Sequence, residues 1–158
     1  MEKSELLNSL PQIGKIEWIG LRPQKRAALE SVGQASISLE DGLEGDHYSA
    51  SSKKRQVTLI QKEHLDGVAS ILKQSSIDPS LTRRNIVVSG INLLAFKDRQ
   101  FQLGEAILEV TGLCHPCSRM EENLGAGGYN AMRGHGGITA KVIKGGNIAL
   151  GDQVRLVL

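Results

Sequence analysis

The chain has 158 residues, enough for one domain with a sizeable core, and its 40% hydrophobic and 23% charged residues are ordinary for a globular protein. A net charge of +2 and only 3% aromatic residues argue against a nucleic-acid partner, which needs a basic surface and stacking side chains. No apolar run reaches the roughly 18 residues of a membrane span, residues 1–10 lack the apolar stretch of a secretory signal, and two cysteines do not make a disulfide scaffold, so a reducing, cytoplasmic setting without a membrane partner is expected.

Residues 1–13 read as a lead-in with a single helical turn, ahead of one domain over residues 14–158. Gly14 to Gly20 alternates and predicts the first strand, and Arg22 to Ala28 is a basic connector. Gln34 to Leu39 alternates again, with Ala35, Ile37 and Leu39 on one side. Glu40 to Tyr48 is an acidic loop punctuated by Gly42 and Gly45, and Ser49 to Lys54 is small, polar and expected to be exposed. Arg55 to Ile60 is the clearest central strand. After it, Leu65, Val68, Ala69 and Leu72 recur at helical spacing and predict a helix over 62–73. Asp78 to Thr82 is a turn, Ile86 to Val88 a strong strand, and Ile91 to Leu94 a short second piece of strand. Phe101 to Leu103 and Ala106 to Val110 read as strands about Gly104-Glu105, and residues 118–124 as a short helix closed by Gly125 to Gly128. Tyr129 to Met132 adds a helical turn, Ile138 to Ile143 is a strand, Gly145-Gly146 turns the chain, and Val154 to Leu158 is the last strand. Seven or more short strands with two or three short helices predict a mainly β (α+β), barrel-like single domain. The 18 glycines, crowded towards the last third, fit many tight turns and close backbone approaches.

Four stretches carry candidate chemistry. Both cysteines fall in Cys114-His115-Pro116-Cys117, where Pro116 ends the preceding strand and Cys117 stands at the start of the predicted helix. Helix dipoles and nearby Arg119 favour the thiolate there. The pair admits a dithiol redox site, a structural zinc site completed by His115 and His135, a single Cys117 that ligates a cofactor metal or carries sulfur, or two buried thiols acting as small apolar groups. Arg83-Arg84-Asn85, at the mouth of a strand, reads either as an anion clamp or as a solvated basic edge. Asp46 and His47 are neighbours on an extended segment and point to opposite faces. Asp46 suits orienting an arginine or a ligand hydroxyl and His47 suits moving a proton, and the plain alternative is an Asx-type turn with a surface histidine. The glycines at 125–128 and 134–137 offer backbone N–H groups to an anion or simply make turns, and they match neither the dinucleotide fingerprint nor the P-loop.

In combination the chain resembles a MOSC domain, the family named after the C-terminal domain of the molybdenum cofactor sulfurases, and is most similar to its short, free-standing bacterial members. The resemblance runs from about Gly14 to Val157. It rests on Gly42-Leu43-Glu44-Gly45-Asp46-His47, Arg83-Arg84-Asn85-Ile86-Val87-Val88-Ser89-Gly90, Leu103-Gly104-Glu105-Ala106, Pro116-Cys117, and the closing Gly145-Gly146 and Gly151-Asp152. It implies a β-barrel-like fold and molybdenum cofactor (molybdopterin) chemistry, with Cys117 either the metal ligand, as in the amidoxime-reducing enzymes, or a persulfide carrier, as proposed for the sulfurases. Cys114 becomes the bystander. The Arg-x-Asn-Ile-Val pattern of the amidoxime reducers carries a cofactor role to Arg83 and Asn85, with Arg84 and Asp46 beside them and His47 or His135 as proton donor. The expected activity is an oxidoreductase reducing N-hydroxylated small molecules with electrons from a separate reductase partner. The alternative is a non-enzymatic sulfur or cofactor carrier served by a cysteine desulfurase or cofactor-synthesis proteins. One departure is that Ser49 to Lys54 replaces a His-Gly-Gly segment of longer members. No lysine has the setting of a Schiff base, and no pyridoxal phosphate is expected on this chain.

Overall fold

In the computed structural model, which describes residues 1–47 and 53–158, the alternating segments become the staves of a barrel. They are β1 (Gly14–Leu21), β5 (Val57–Gln61), β6 (Ile86–Ser89), β7 (Gln100–Leu103), β8 (Ala106–Leu113), β9 (Ile138–Lys144) and β11 (Gln153–Leu156). The sheet runs β11-β7-β8-β9-β5-β6-β1, and a further pairing of β11 with β1 closes it into seven staves. All neighbours are antiparallel except β5 and β6, which run parallel with Leu59 opposite Ile86. A parallel pair needs a crossover, and helix α2 (Lys62–Ile71) supplies it. Strand β2 (Glu30–Val32) extends β1 as an antiparallel flap. A small second sheet joins β10 (Gly146–Ala149), β3 (Gln34–Ser38) and β4 (Gly42–Leu43).

Two cores follow from the period-2 pattern. Ile16, Ile19, Leu59, Ile86, Val88, Leu103, Leu108, Ile138 and Ala140 point into the barrel with their partners. The alternate residues Ile60 and Val87 point outward, where Leu65, Val68 and Ala69 of α2 cover them. Helices α3 (Ser118–Leu124) and α4 (Gly128–Met132) close the same layer with Met120, Leu124, Ala131 and Met132. Strands buried on both faces read as unbroken apolar runs, which is why residues 57–60 and 86–88 stood out in the sequence.

The lead-in forms a first helix, α1 (Lys3–Asn8), with no buried residue, so the described residues hold four short α-helices rather than two or three. Ile91 to Leu94 is not a strand: Asn92 accepts from the Leu94 N–H and starts a 3-10 turn over Leu93–Phe96. Leu39 is 56% exposed and lies beyond the end of β3, unlike buried Ile37. Gly146 does not only turn the chain; it opens β10 and pairs with Ile37. Most of the Ser49 to Lys54 segment lies outside the described residues.

Candidate functional site

One rim of the barrel gathers the outgoing ends of β1 and β8 and the incoming ends of β6 and β9. Glycine makes the gathering possible. Gly137, at φ +86°, brings its backbone so close to β5 that a Cβ would lie 1.9 Å from the Leu59 carbonyl oxygen. At Gly136 a Cβ would meet the Cys114 carbonyl at 2.0 Å. The two glycines thus press the segment before β9 against both β5 and the cysteine loop, an approach that no larger residue permits. The Cys114 N–H donates to the Gly137 carbonyl, which fixes the loop from the other side.

Arg84 sits at the centre of this junction, 5% exposed. Its Nε donates to the Gly136 carbonyl at 2.8 Å, its Nη1 to Thr82 at 2.9 Å, and its Nη2 to Cys114 at 3.0 Å and His115 at 3.3 Å. The guanidinium is therefore a clasp for the cysteine loop, with most of its donors committed to backbone. Burial pulls its pKa below the usual arginine value, the charges of Cys114 and Cys117 oppose that shift, and Arg55 and Arg22 add to it. All four side chains lie within reach of the same field.

Beside the clasp, Asp46 is held by an arginine that the sequence reading missed. Arg22 donates to it from Nε at 3.1 Å, from Nη2 at 3.0 Å and from its backbone N–H at 2.7 Å. The pair is nearly dry, with side-chain exposures of 11% and 0%. Nothing local in the sequence pairs residues 24 positions apart. His47 turns the other way and is exposed, while its backbone N–H donates to the Arg22 carbonyl.

Asn85 is 1% exposed and staples strands together. Its Oδ1 accepts from the Thr58 hydroxyl and from Arg22 Nη2, and its Nδ2 donates to the Gly20 carbonyl. Arg83 stands in the left-handed region at φ 65° as the C-cap of the 3-10 turn over Pro79–Thr82, and its Nη1 donates to the Ala27 carbonyl at 2.7 Å. Arg83, Arg84, Asn85 and Asp46 thus converge on the rim as its bracing.

Cys117 is exposed at the start of α3, whereas Cys114 is 4% exposed. An open, basic hollow lies on the side of the loop that carries His115. A cavity of about 350 Å³ is lined by Lys54, Arg55, Thr111, Leu113, His115 and Thr139. A smaller one of about 160 Å³ continues it along Cys114, His115, Pro116, Gly134, Gly136 and Gly137. Lys54 and Arg55 are the cations of this hollow, and the sequence signal for them was their position just outside a strand end. His135 faces a different neighbour, His64 of α2, edge to face with centroids 5.2 Å apart. Burial and the adjacent His135 lower the His64 pKa, with Glu63 opposing. Among the described residues no three His, Cys, Asp or Glu side chains converge as a metal cage, so the zinc reading of the cysteine pair finds no further ligands. Nor, among those residues, does any buried side-chain polar atom lack a partner.

The chain belongs to the MOSC domain family, whose profile matches residues 45–155 and which is associated with molybdenum cofactor binding. The fold is shared with the YuaD protein of Bacillus subtilis at a TM-score of 0.78 and 18% identity, covering 91% of this chain and 95% of that one. It is also shared with YiiM from Escherichia coli, at TM-score 0.67 and 19% identity over 91% of this chain and 70% of that one. YiiM from Geobacillus stearothermophilus follows the same path at TM-score 0.75 and 15% identity over 92% and 75%. At these identities the likeness is one of fold. No curated protein matches the sequence.

Proposed function

We propose that the chain is a molybdenum-cofactor oxidoreductase that reduces N-hydroxylated small molecules, with Cys117 as the protein ligand to the metal. The observation that carries this reading is the exposure of Cys117 within the electrostatic reach of buried Arg84, on a loop whose His115 lines a hollow with Lys54 and Arg55. The donor set fits the group. An exposed thiol in a positive field is a soft ligand of the kind that binds such metals. Lys54, Arg55 and His115, with the Thr111 and Thr139 hydroxyls, suit the doubly charged phosphate of a pterin, a role the sequence reading had given to Arg83 and Arg84. Arg83 and Arg84 donate instead to backbone carbonyls, which supports a positioning role for them in place of direct contact.

The cofactor, when bound, supplies the removal of oxygen from an N–O bond. The chain's own residues bind and orient. Arg84 holds the Cys114 and His115 carbonyls, so the Cys117 sulfur is presented by a fixed loop. The Arg22–Asp46 pair and Asn85 brace the rim beside that clasp. In this reading His47, an exposed imidazole next in the chain to buried Asp46, is the proton donor as the oxygen leaves as water. The balance is one N-hydroxyl group, two protons and two electrons in, and one amine-type nitrogen and one water out. The electrons come from a separate reductase in a reducing, cytoplasmic setting.

The exposure of Cys117 also suits the second reading, a carrier that holds a persulfide received from a cysteine desulfurase. Metal analysis and N-hydroxyl reduction with wild type and Cys117→Ser, both made in a host that synthesises the cofactor, test the first. Retention of full metal-dependent reduction by the serine variant refutes it. A Cys117 persulfide without any reductase activity favours the second.

A further inference from the structure

Two of the chain's four histidines meet across the outer layer. His64 belongs to the first turn of α2, and His135 to the glycine-rich segment that leads into β9. The sequence offers His135 as a zinc ligand for the cysteine pair, and the fold turns it to His64 instead. The ring centroids are 5.2 Å apart, and the ring planes stand at 79° to one another. Two imidazoles that share one tetrahedral ion, each nitrogen about 2.0–2.1 Å from the metal, have their centroids roughly 5 Å apart. The backbones of α2 and of the segment before β9 thus hold the two rings at the separation a common ion requires. Turning the two ring edges towards one point takes a rotation about the terminal side-chain torsion, whose energy well is broad in histidine.

The chemistry of the ring nitrogens agrees with the spacing. His135 Nδ1 lies 3.2 Å from the Ala131 carbonyl oxygen, one helical turn back. As the donor in that contact it keeps the Nε2 lone pair for a ligand, and ligating histidines are commonly oriented by such a bond from the other nitrogen. At His64, burial and the adjacent His135 lower the pKa, so the ring is neutral near pH 7 and releases little proton on binding an ion. Glu63 opposes that shift from the same turn of α2, and its negative field favours a cation at the pair. Its two oxygens accept from the Gly90 N–H and the Gln61 amide, so it acts at a distance and water completes the coordination. Both imidazoles are half-buried, which leaves a path for an ion from solvent.

We propose that His64 and His135 form a binding site for one divalent transition ion of the zinc, nickel or copper class, held by two imidazoles with solvent in the remaining positions. Imidazole suits these ions, whereas calcium and magnesium call for oxygen ligands that the pair does not supply. Two protein ligands bind more weakly than the four of a structural zinc site, so the ion exchanges with solution and acts as a regulator of the fold. Its lever is the segment it holds. Gly136, next to His135, accepts from Arg84, and Gly137 accepts from the Cys114 N–H. An ion that ties His135 to α2 therefore steadies the stretch of chain from which the cysteine loop hangs. The site stands apart from the reaction assigned to Cys117 and needs no cofactor.

The test is calorimetric titration of the untagged full chain with Ni²⁺ alone, in wild type, His64→Gln, His135→Gln, His115→Gln and Cys117→Ser, with melting curves taken with and without the ion. Both imidazoles are half-buried, so glutamine replaces either without opening the core, and the ion-free melting curves check that each variant is folded. The expected result is one Ni²⁺ per wild-type chain, with affinity reduced roughly tenfold or more in both His64→Gln and His135→Gln. Affinity should stay unchanged in His115→Gln and Cys117→Ser. At a hundredfold excess over the dissociation constant the ion should raise the wild-type melting temperature by roughly 5 °C, and the rise should vanish in the two pair variants. Binding that survives either pair variant, binding lost in Cys117→Ser or His115→Gln, or no binding at about 1 mM Ni²⁺ overturns the site. Each of these results leaves the role of Cys117 standing, because that role is read from molybdenum content in the Cys117→Ser protein.

Discussion

The buried pair of Arg22 and Asp46 is the most exposed part of the account to a quantitative check. Asp46→Ala removes two acceptor oxygens and the three hydrogen bonds they receive from Arg22, at 2.7, 3.0 and 3.1 Å, and leaves a guanidinium that is 11% exposed without the Asp46 counter-charge. Removing one partner of a buried pair costs about 3–5 kcal/mol, because the remaining charge is stranded in a poorly polarisable setting. For a domain of this size each kcal/mol lowers the melting temperature by roughly 2–4 °C, so a drop of about 10 °C is expected by calorimetry or circular dichroism. The double variant Arg22→Met/Asp46→Leu removes both charges and should recover most of the loss, since apolar replacements of a buried pair are often neutral. A melting temperature for Asp46→Ala within about 1 °C of wild type, or strictly additive effects in the double variant, would show that the pair does not brace the rim.

Gly137→Ala should destabilise by about 3 kcal/mol or more, because it combines φ +86° with a Cβ placed 1.9 Å from the Leu59 carbonyl; chemical denaturation reads the loss. Arg84→Met should leave the Gly136, Cys114 and His115 carbonyls without their donor, loosen the cysteine loop, and raise the rate at which Cys117 reacts with a thiol reagent. Arg55→Gln should weaken binding of the phosphorylated pterin by roughly tenfold while the melting temperature stays within a degree or two, since its side chain is exposed. The fold holds His64 below its ordinary pKa, so the unfolded chain takes up that proton first. Its contribution to stability is complete above the unfolded value near 6.5, falls as pH drops through that value, and levels off below the folded one. His64→Gln should flatten this slope in melting curves taken between pH 5 and pH 8 (roughly the span of histidine titration).

Much of the barrel was legible because its staves obey a period of two and its central pair is apolar on both faces. The helix at 118–124 was read to the residue, since Pro116 ends one element and Gly125 closes the next. What escaped was short or depended on distant partners. Strand β2 has only three residues, with no alternating run to announce it, and β10 is stabilised by pairing with β3 more than 100 positions earlier. Asn92 converted an apolar run into a 3-10 turn through one side-chain contact, a competition that periodicity does not weigh. At the site, residue types at strand mouths suggested ligand contacts, and burial gives several of them backbone partners. Arg84 and Asn85 read as ligand-facing groups, and the chain folds them inward onto carbonyls and hydroxyls. Arg22 and Arg55 carried no motif at all, and only closure of the barrel brings them near Arg84.

The measurement that bears most directly on Cys117 is X-ray absorption at the metal edge, on protein made in a cofactor-producing host, for wild type and Cys117→Ser side by side. The account predicts bound molybdenum whose sulfur coordination is one atom richer in wild type than in the serine variant, with the lost sulfur replaced by oxygen. Identical sulfur coordination in the two proteins, at equal metal content, would contradict it.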